Sequence, residues 1–235
     1  RQTMTTGRET ILGNIRKSLN RGPLSAERAA GPEHRLKAAK PNLVPARGAV
    51  EGAERVALFI AEAEKVDTTV SRVAAAAEVP GVVAAYLAAH DLPTALKAAP
   101  DPALADIPWS RQSTLAVRQG GPEGGDEVGV TGALAGIAET GTLMLVSGPH
   151  SPTTLNFLPD THIAVLTTGA IDGTYEEAWA RLRAAGSEGP EGAFMPRTVN
   201  LITGPSRTAD IEQTLLLGAH GPRRLLIVII DDQGP

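Results

Sequence analysis

The sequence predicts an α/β domain built around a mostly parallel, covered β-sheet, and three observations predict it. Over the C-terminal half, apolar stretches of strand length alternate with stretches of helical period. Leu143-Met-Leu-Val146 and Leu225-Leu-Ile-Val-Ile-Ile230 are continuous apolar runs, the pattern of strands buried on both faces. Aromatic residues make up only 3% of the chain, so Ala, Val, Leu and Ile must fill the core, which suits close packing of helices on a sheet.

Taken in order, residues 8–19 read as a short amphipathic helix. Ile11, Leu12, Ile15 and Leu19 fall on one face, with Arg16 and Lys17 outside it. Residues 20–48 are rich in Gly, Pro, Ala and basic residues and read as a linker. Residues 4–48 thus form a basic arm, and residues 49–231 a single α/β domain. Helical period returns over residues 53–65, with Val56, Leu58, Phe59, Ile60 and Ala63. Residues 66–73 are β-rich. Residues 79–90 read as a helix with Pro80 near its start, where a missing N–H is tolerated. Short strands are expected at 94–98 and 115–118, with a Pro- and Asp-rich connection between them. Residues 120–129 form a Gly-rich acidic loop, and 130–137 a short helix or turn. Strands follow at 142–147 and 163–168. Thr174-Tyr-Glu-Glu177 has capping-box spacing and opens a helix to about residue 185, burying Ala178, Trp179 and Leu182. A strand at 199–202, a helix at 208–217 stopped by Gly218, and a strand at 225–230 complete the chain.

The 235 residues, 42% of them hydrophobic, are enough for one domain with a substantial core. The net charge of -4 is unevenly spread: residues 1–50 carry a balance of +7 and the rest -11. A basic arm on an acidic body is expected to dock on that body or on a neighbouring protomer, which admits a homo-oligomer. No aromatic or Gly-rich motif accompanies the arm, so no nucleic-acid partner is expected. The chain has no cysteine. It supplies no thiolate to an iron–sulfur cluster or zinc site and no Cys nucleophile. The absence of disulfides is compatible with the expected cytoplasmic location. No apolar run approaches the ~20 residues of a membrane span, so no membrane partner is expected. No metal is expected either, because no His-x-x-x-His pair exists. Gly120-Gly-Pro-Glu-Gly-Gly125 lacks the spacing of a dinucleotide fingerprint and the Lys-Ser/Thr of a P-loop, and Glu123, Asp126 and Glu127 would repel phosphate. There is no Gly-x-Ser-x-Gly nucleophile elbow.

The chemistry concentrates in Leu201-Ile-Thr-Gly-Pro-Ser-Arg-Thr-Ala-Asp-Ile-Glu212, which reads as a strand end, a Gly-Pro turn and a helix start. A helix N-terminus favours an anion through its unpaired N–H groups and dipole. The turn from Gly204 offers backbone N–H groups, Ser206 and Thr208 offer hydroxyls, and Arg207 offers a planar fork for carboxylate or phosphate. Capping by Ser206 or Thr208, with Asp210 and Glu212 complementing the dipole, explains part of the segment but not Arg207, a cation that opposes it. Ligands of open α/β sheets lie beyond the C-terminal strand ends, and that edge is where this turn is expected. Glu139, in Glu139-Thr-Gly-Thr142, is a general base or nucleophile on one reading and a turn residue on the other. Thr140, Gly141 and Thr142 go with it as ligand-side residues. His220, in Gly218-Ala-His-Gly-Pro222, is either a proton-transfer group or a helix-end cap. Asp210 is the third acid/base candidate. His150, in a loop after a strand, is a weaker cleft candidate. His162 reads as packed or hydrogen-bonded, and His34 and His90 as peripheral.

These segments also carry a resemblance. Thr203-Gly-Pro-Ser-Arg-Thr-Ala-Asp-Ile-Glu212 followed by Gly218-Ala-His-Gly-Pro222 is similar to the C-terminal signature of the lactate-utilisation protein C family, also called the LUD domain. Ile137-Ala-Glu-Thr-Gly-Thr-Leu143 and Leu158-Pro-Asp-Thr-His-Ile163 resemble two more of its motifs, in the expected order. The resemblance implies the three-layer α/β/α fold of phosphosugar isomerases and CoA transferases. Class I CoA transferases use a glutamate in a Glu-x-Gly setting, to which Glu139-Thr-Gly141 is loosely similar. The resemblance also implies a component of a bacterial system that oxidises L-lactate to pyruvate. Iron–sulfur clusters would sit only on partner proteins, with no cofactor in this chain. The expected ligand is a small anion: a carboxylate, a phosphorylated compound or a CoA-like molecule. Two rivals stand beside this reading: a self-contained CoA transferase or sugar-phosphate isomerase, and a non-catalytic assembly subunit docked by its basic arm.

Overall fold

The computed structural model describes residues 6–20, 22, 25–41, 43–187, 195–208 and 216–232. The chain divides into two compact units, residues 1–43 and 44–235. The first unit holds two helices, α1 (Gly7–Ser18) and α2 (Ala26–Ala38). A reciprocal capping box starts α1: the Glu9 N–H donates to Thr6 Oγ1 and the Thr6 N–H donates to Glu9 Oε2. The helix α2 occupies the stretch expected to be a linker. Ser25 caps it, and its Ala, Glu, Arg and Lys residues sustain helix although Pro32 lies inside.

The second unit begins with α3 (Gly52–Glu64), β1 (Thr69–Val73), α4 (Val79–Ala89), β2 (Ala95–Ala98) and β3 (Ala116–Gln119). Five strands follow: β4 (Val128–Gly132), β5 (Ala135–Ile137), β6 (Thr142–Val146), β7 (Thr161–Thr167) and β8 (Ile171–Asp172). Then come α5 (Tyr175–Ser187), β9 (Val199–Ile202), β10 (Arg207–Thr208), β11 (Leu216–Leu217) and β12 (Arg224–Ile230). Six strands form one sheet in the order β1-β12-β7-β4-β2-β3, every neighbour parallel. A second sheet runs β8-β5-β6-β9, with β6 antiparallel to both neighbours.

Alternation along the strands shows why the layers stack. On β12, Leu226 and Val228 join Val83 and Leu87 of α4, while Leu225, Ile227 and Ile229 join Phe59 and Ala63 of α3. Both faces of the parallel sheet are therefore covered, as its apolar runs require. The second sheet behaves the same way. Leu143 and Leu145 pack into the α3 cluster, and Met144 packs with Ala178 and Leu182 of α5 on the opposite side. Among the described residues, no helix is long and apolar enough to cross a membrane.

Two expected elements differ. Residues 130–137, read as a helix or turn, contribute to β4 and β5 instead. Their small residues serve close packing: a Cβ on Gly136 would stand 2.9 Å from the Phe59 ring, and one on Gly132 would stand 2.6 Å from an Asp101 oxygen. The helix expected at 208–217 is also absent at its described ends. Thr208 and Leu216 pair in an antiparallel ladder, and Gly218 follows a strand rather than stopping a helix. Residues 209–215 lie outside the described residues.

The turn between β5 and β6 depends on Gly141. Its φ of 62° lies in the left-handed region, and a Cβ there would stand 2.2 Å from the backbone nitrogen of Ala63. Gly141→Ala is expected to destabilise the fold by more than about 2 kcal/mol. Gly81→Ala, in α4 with nothing near its Cβ position, is expected to be neutral or to stabilise by up to about 1 kcal/mol. Urea unfolding midpoints of the two variants check the contrast.

Candidate functional site

The two Gly-Pro segments meet in space. The Ser206 N–H donates to the Pro222 carbonyl (2.8 Å), the Gly218 N–H to the Ser206 carbonyl (3.0 Å), and the His220 N–H to Ser206 Oγ (3.3 Å). Ser206 thus caps the second turn rather than a helix. Gly204, at φ 76°, lies so close to Val66 that a Cβ would stand 2.5 Å from the Val66 carbonyl oxygen. Together the segments wall a cleft of about 410 Å³, which Val66 and Phe157 also line and to which the buried Asn156, His162 and Leu225 give a floor.

This cleft lies at the N-terminal ends of β7 and β12, since His162 and Leu225 are each the second residue of their strand. The expected placement at the C-terminal edge of the parallel sheet is therefore corrected. The turn does follow β9, but β9 belongs to the second, antiparallel sheet, so its end does not mark the carboxyl edge of the first.

Arg207 lines the cleft and is already engaged. One terminal nitrogen sits 2.8 Å from Asp67 Oδ2 and donates to the Val66 carbonyl. Asp67 is well exposed, so this ion pair is a solvated one of small worth. His220 also lines the cleft and is exposed. Thr208 takes part through its backbone in β10, and Asp210 lies outside the described residues.

Glu139 does not line the cleft. It is 3% exposed, and its Oε1 accepts the Tyr175 N–H at the first residue of α5 (3.1 Å), where a carboxylate complements the helix dipole. Its Oε2 lies 3.9 Å from Arg47 Nε. Next to it the hydroxyls of Thr140, Thr142, Thr203 and Tyr175 form a cluster, with Thr142 Oγ1 2.7 Å from both Thr140 Oγ1 and Thr203 Oγ1. Thr203 carries that cluster to the cleft wall. Gly141 serves the close approach to α3. His150 lines a different hollow of about 340 Å³, with Asp101 and Gly132, beyond the C-terminal end of β4. His34 lies in α2, and His90 ends α4 with its ring 4.5 Å from that of Tyr86.

The floor holds what sequence reasoning did not place there. His162 is 1% exposed and Asn156 2%. His162 Nε2 lies 2.7 Å from Thr131 Oγ1, so the ring is packed and hydrogen-bonded as expected, yet it also borders the cleft. In the sheet it stands between Gly129 and Leu225, and Pro159 and Leu155 press against the bare Gly129. Burial pushes its ionisation down to about 4, so the ring is neutral near pH 7. Neither His162 Nδ1 nor Asn156 Oδ1 has a hydrogen-bond partner. A histidine inside an apolar run is a recognisable signal, because a buried polar group needs a partner. Asn156 carries no such signal. Among the described residues, no group of three or more His, Asp or Glu side chains is placed to hold a metal.

Residues 126–230 match the family model described as LUD domain. An uncharacterized protein of Neisseria meningitidis serogroup B is 44% identical over 104 residues, or 44% of this chain and 42% of that protein. Proteins called lactate utilization protein C are 36% identical over 106 residues in a Geobacillus species and 34% in Geobacillus thermodenitrificans, in each case 45% of this chain and 43% of the relative. The matched part of the chain thus spans less than half the length of these relatives. A crystal structure of a DUF162 family protein from Deinococcus radiodurans shares the fold, with a TM-score of 0.54 and 24% identity over 77% of this chain and 99% of that one.

The buried ring makes stability depend on pH. Between pH 6.5 and about 4 the unfolded chain takes up a proton at His162 that the folded chain refuses, so stability falls as pH falls through that window. The full difference is about 3 kcal/mol. His162→Gln is expected to lose that component of the slope, as measured by urea unfolding at about pH 7, 5.5 and 4.5.

Proposed function

The chain belongs to the LUD-domain family through residues 126–230, and on that premise we propose that it serves lactate utilisation by holding a small carboxylate in the cleft between the two Gly-Pro turns. The observation that carries this reading is the joining of those turns by three hydrogen bonds into one wall, on which Arg207 and His220 both stand. Arg207 is the one Lys or Arg among the described lining residues, and His162 is neutral. A carboxylate entering the cleft therefore meets Arg207 as the permanent cation of the described lining. It would compete with Asp67, an exposed partner that is easily displaced.

Several relatives bear the name lactate utilization protein C, which supports a place in a multi-protein system. On this reading the electron-transfer chemistry belongs to iron–sulfur partner subunits, because this chain has no cysteine to ligate a cluster. His220 is the cleft's acid/base candidate. A transferase reaction centred on Glu139 draws less support, since that carboxylate is buried at the start of α5 and is not among the residues that line the cleft.

Thermal shift tests the reading. A carboxylate at a hundred times its Kd stabilises the fold by about 2.7 kcal/mol, which should raise the melting temperature by several degrees. L-lactate, pyruvate and propionate are the probes. Arg207→Ala is expected to weaken binding at least tenfold, and Asp67→Asn, which frees the guanidinium, to tighten it severalfold. Wild type unmoved by all three, or an Arg207→Ala protein shifted equally, would remove the proposal.

A further inference from the structure

Two buried residues of the cleft lining each carry a polar atom for which the described residues supply no partner. Asn156 and His162 are 2% and 1% exposed, both border the same cleft, and Asn156 Oδ1 and His162 Nδ1 each lack a partner. Buried polar atoms are ordinarily paired, so two unpaired ones on residues of one cavity leave room for a partner from outside the fold. The ring cannot simply turn away. Its other nitrogen is held by Thr131 on β4, and its backbone is fixed between Gly129 and Leu225.

The chemistry of the missing partner follows from the two atoms. Asn156 Oδ1 can only accept, so the partner must bring a hydrogen. His162 Nδ1 accepts in one tautomer and donates in the other, depending on which way the bond to Thr131 runs. A hydroxyl donates its one hydrogen to Asn156 Oδ1 and accepts from Nδ1–H, the tautomer in which Thr131 donates to Nε2. A ketone oxygen cannot serve Asn156, and a methylene serves neither. A carboxylate is poorly suited as well, because the neutral ring offers it no charge and the amide oxygen would repel it.

We propose that the floor of this cleft is a hydroxyl-recognition subsite, formed by Asn156 and His162, that selects a small hydroxy acid over the corresponding oxo acid or unsubstituted acid. This rests on the reading that Arg207 takes the carboxylate; the floor reads the rest of the molecule.

The test titrates the full chain with L-lactate, pyruvate, propionate and the uncharged hydroxy amide lactamide, following the ring nitrogens of His162 by NMR on histidine-labelled protein. L-lactate is expected to bind at least about tenfold more tightly than pyruvate or propionate. The His162 nitrogen signals should move with L-lactate and lactamide and stay in place with propionate. His162→Gln and Asn156→Leu should each bring L-lactate affinity close to that of propionate. If a variant does not fold, the wild-type ring signals alone decide. Equal affinity for L-lactate and propionate, with the ring signals unmoved, overturns the floor subsite and leaves the Arg207 reading standing. Movement of the ring by lactamide, with no carboxylate bound more tightly than lactamide, does the reverse. If no probe binds, the hydroxyl subsite is overturned as well.

Discussion

β7 and β12 are neighbouring interior strands of the parallel sheet and are apolar on both sides, so neither side can be left to water. Leu226, Val228, Ile163 and Val165 face α4, and Leu225, Ile227, Ile229, Ala164 and Leu166 face the other way. Each large aliphatic side chain buried there contributes about 1.5–3 kcal/mol. The second face is too broad for α3 alone, and β6 supplies the remaining cover through Leu143 and Leu145. A strand used as cover has a back of its own, which is why α5 must close over Met144, Ala135 and Ile137. The second sheet and its helix are thus consequences of two-sided burial of these interior strands.

That arrangement also decides where the cleft falls. The second sheet brings the end of β9 over the starting ends of β7 and β12, and the cleft is the space left between them. Glu139, placed in the turn between β5 and β6, is drawn toward α5 by the same sheet and serves the helix start. Arg207 is left at the rim, tied to the turn that follows α3.

What was legible in the sequence follows from which contacts are local. Continuous runs such as residues 225–230 announce strands buried on both faces, and Thr174 with Glu177 announces the start of α5; the Glu177 N–H does donate to Thr174 Oγ1 (3.3 Å). The two Gly-Pro segments were recognisable as turns, but their meeting through Ser206 is set by tertiary packing. The strands at 130–137 were not legible, because Gly132 and Gly136 look like turn residues until Asp101 and Phe59 are seen to fill their space. Nor was the partner of Arg207 legible, since Asp67 is remote in the chain and chosen only by tertiary packing. His162 was read correctly as packed and bonded. Its second role at the cleft floor depends on β12, β4 and the 153–157 segment together, and no local pattern encodes that.

The strand order has a consequence for how the chain comes to be folded. β1 pairs with β12 alone within the six-stranded sheet, in the register Thr69 to Leu226 through Val73 to Ile230. During synthesis β1 emerges early and β12 late, so β1 waits unpaired while most of the domain is being made. Contacts of such separation close slowly, because the entropy of the intervening loop must be lost before any pairing is gained. The same late strand also carries Leu225 to the cleft floor. Until β12 arrives, β1 therefore has no partner in the sheet and the cleft lacks Leu225.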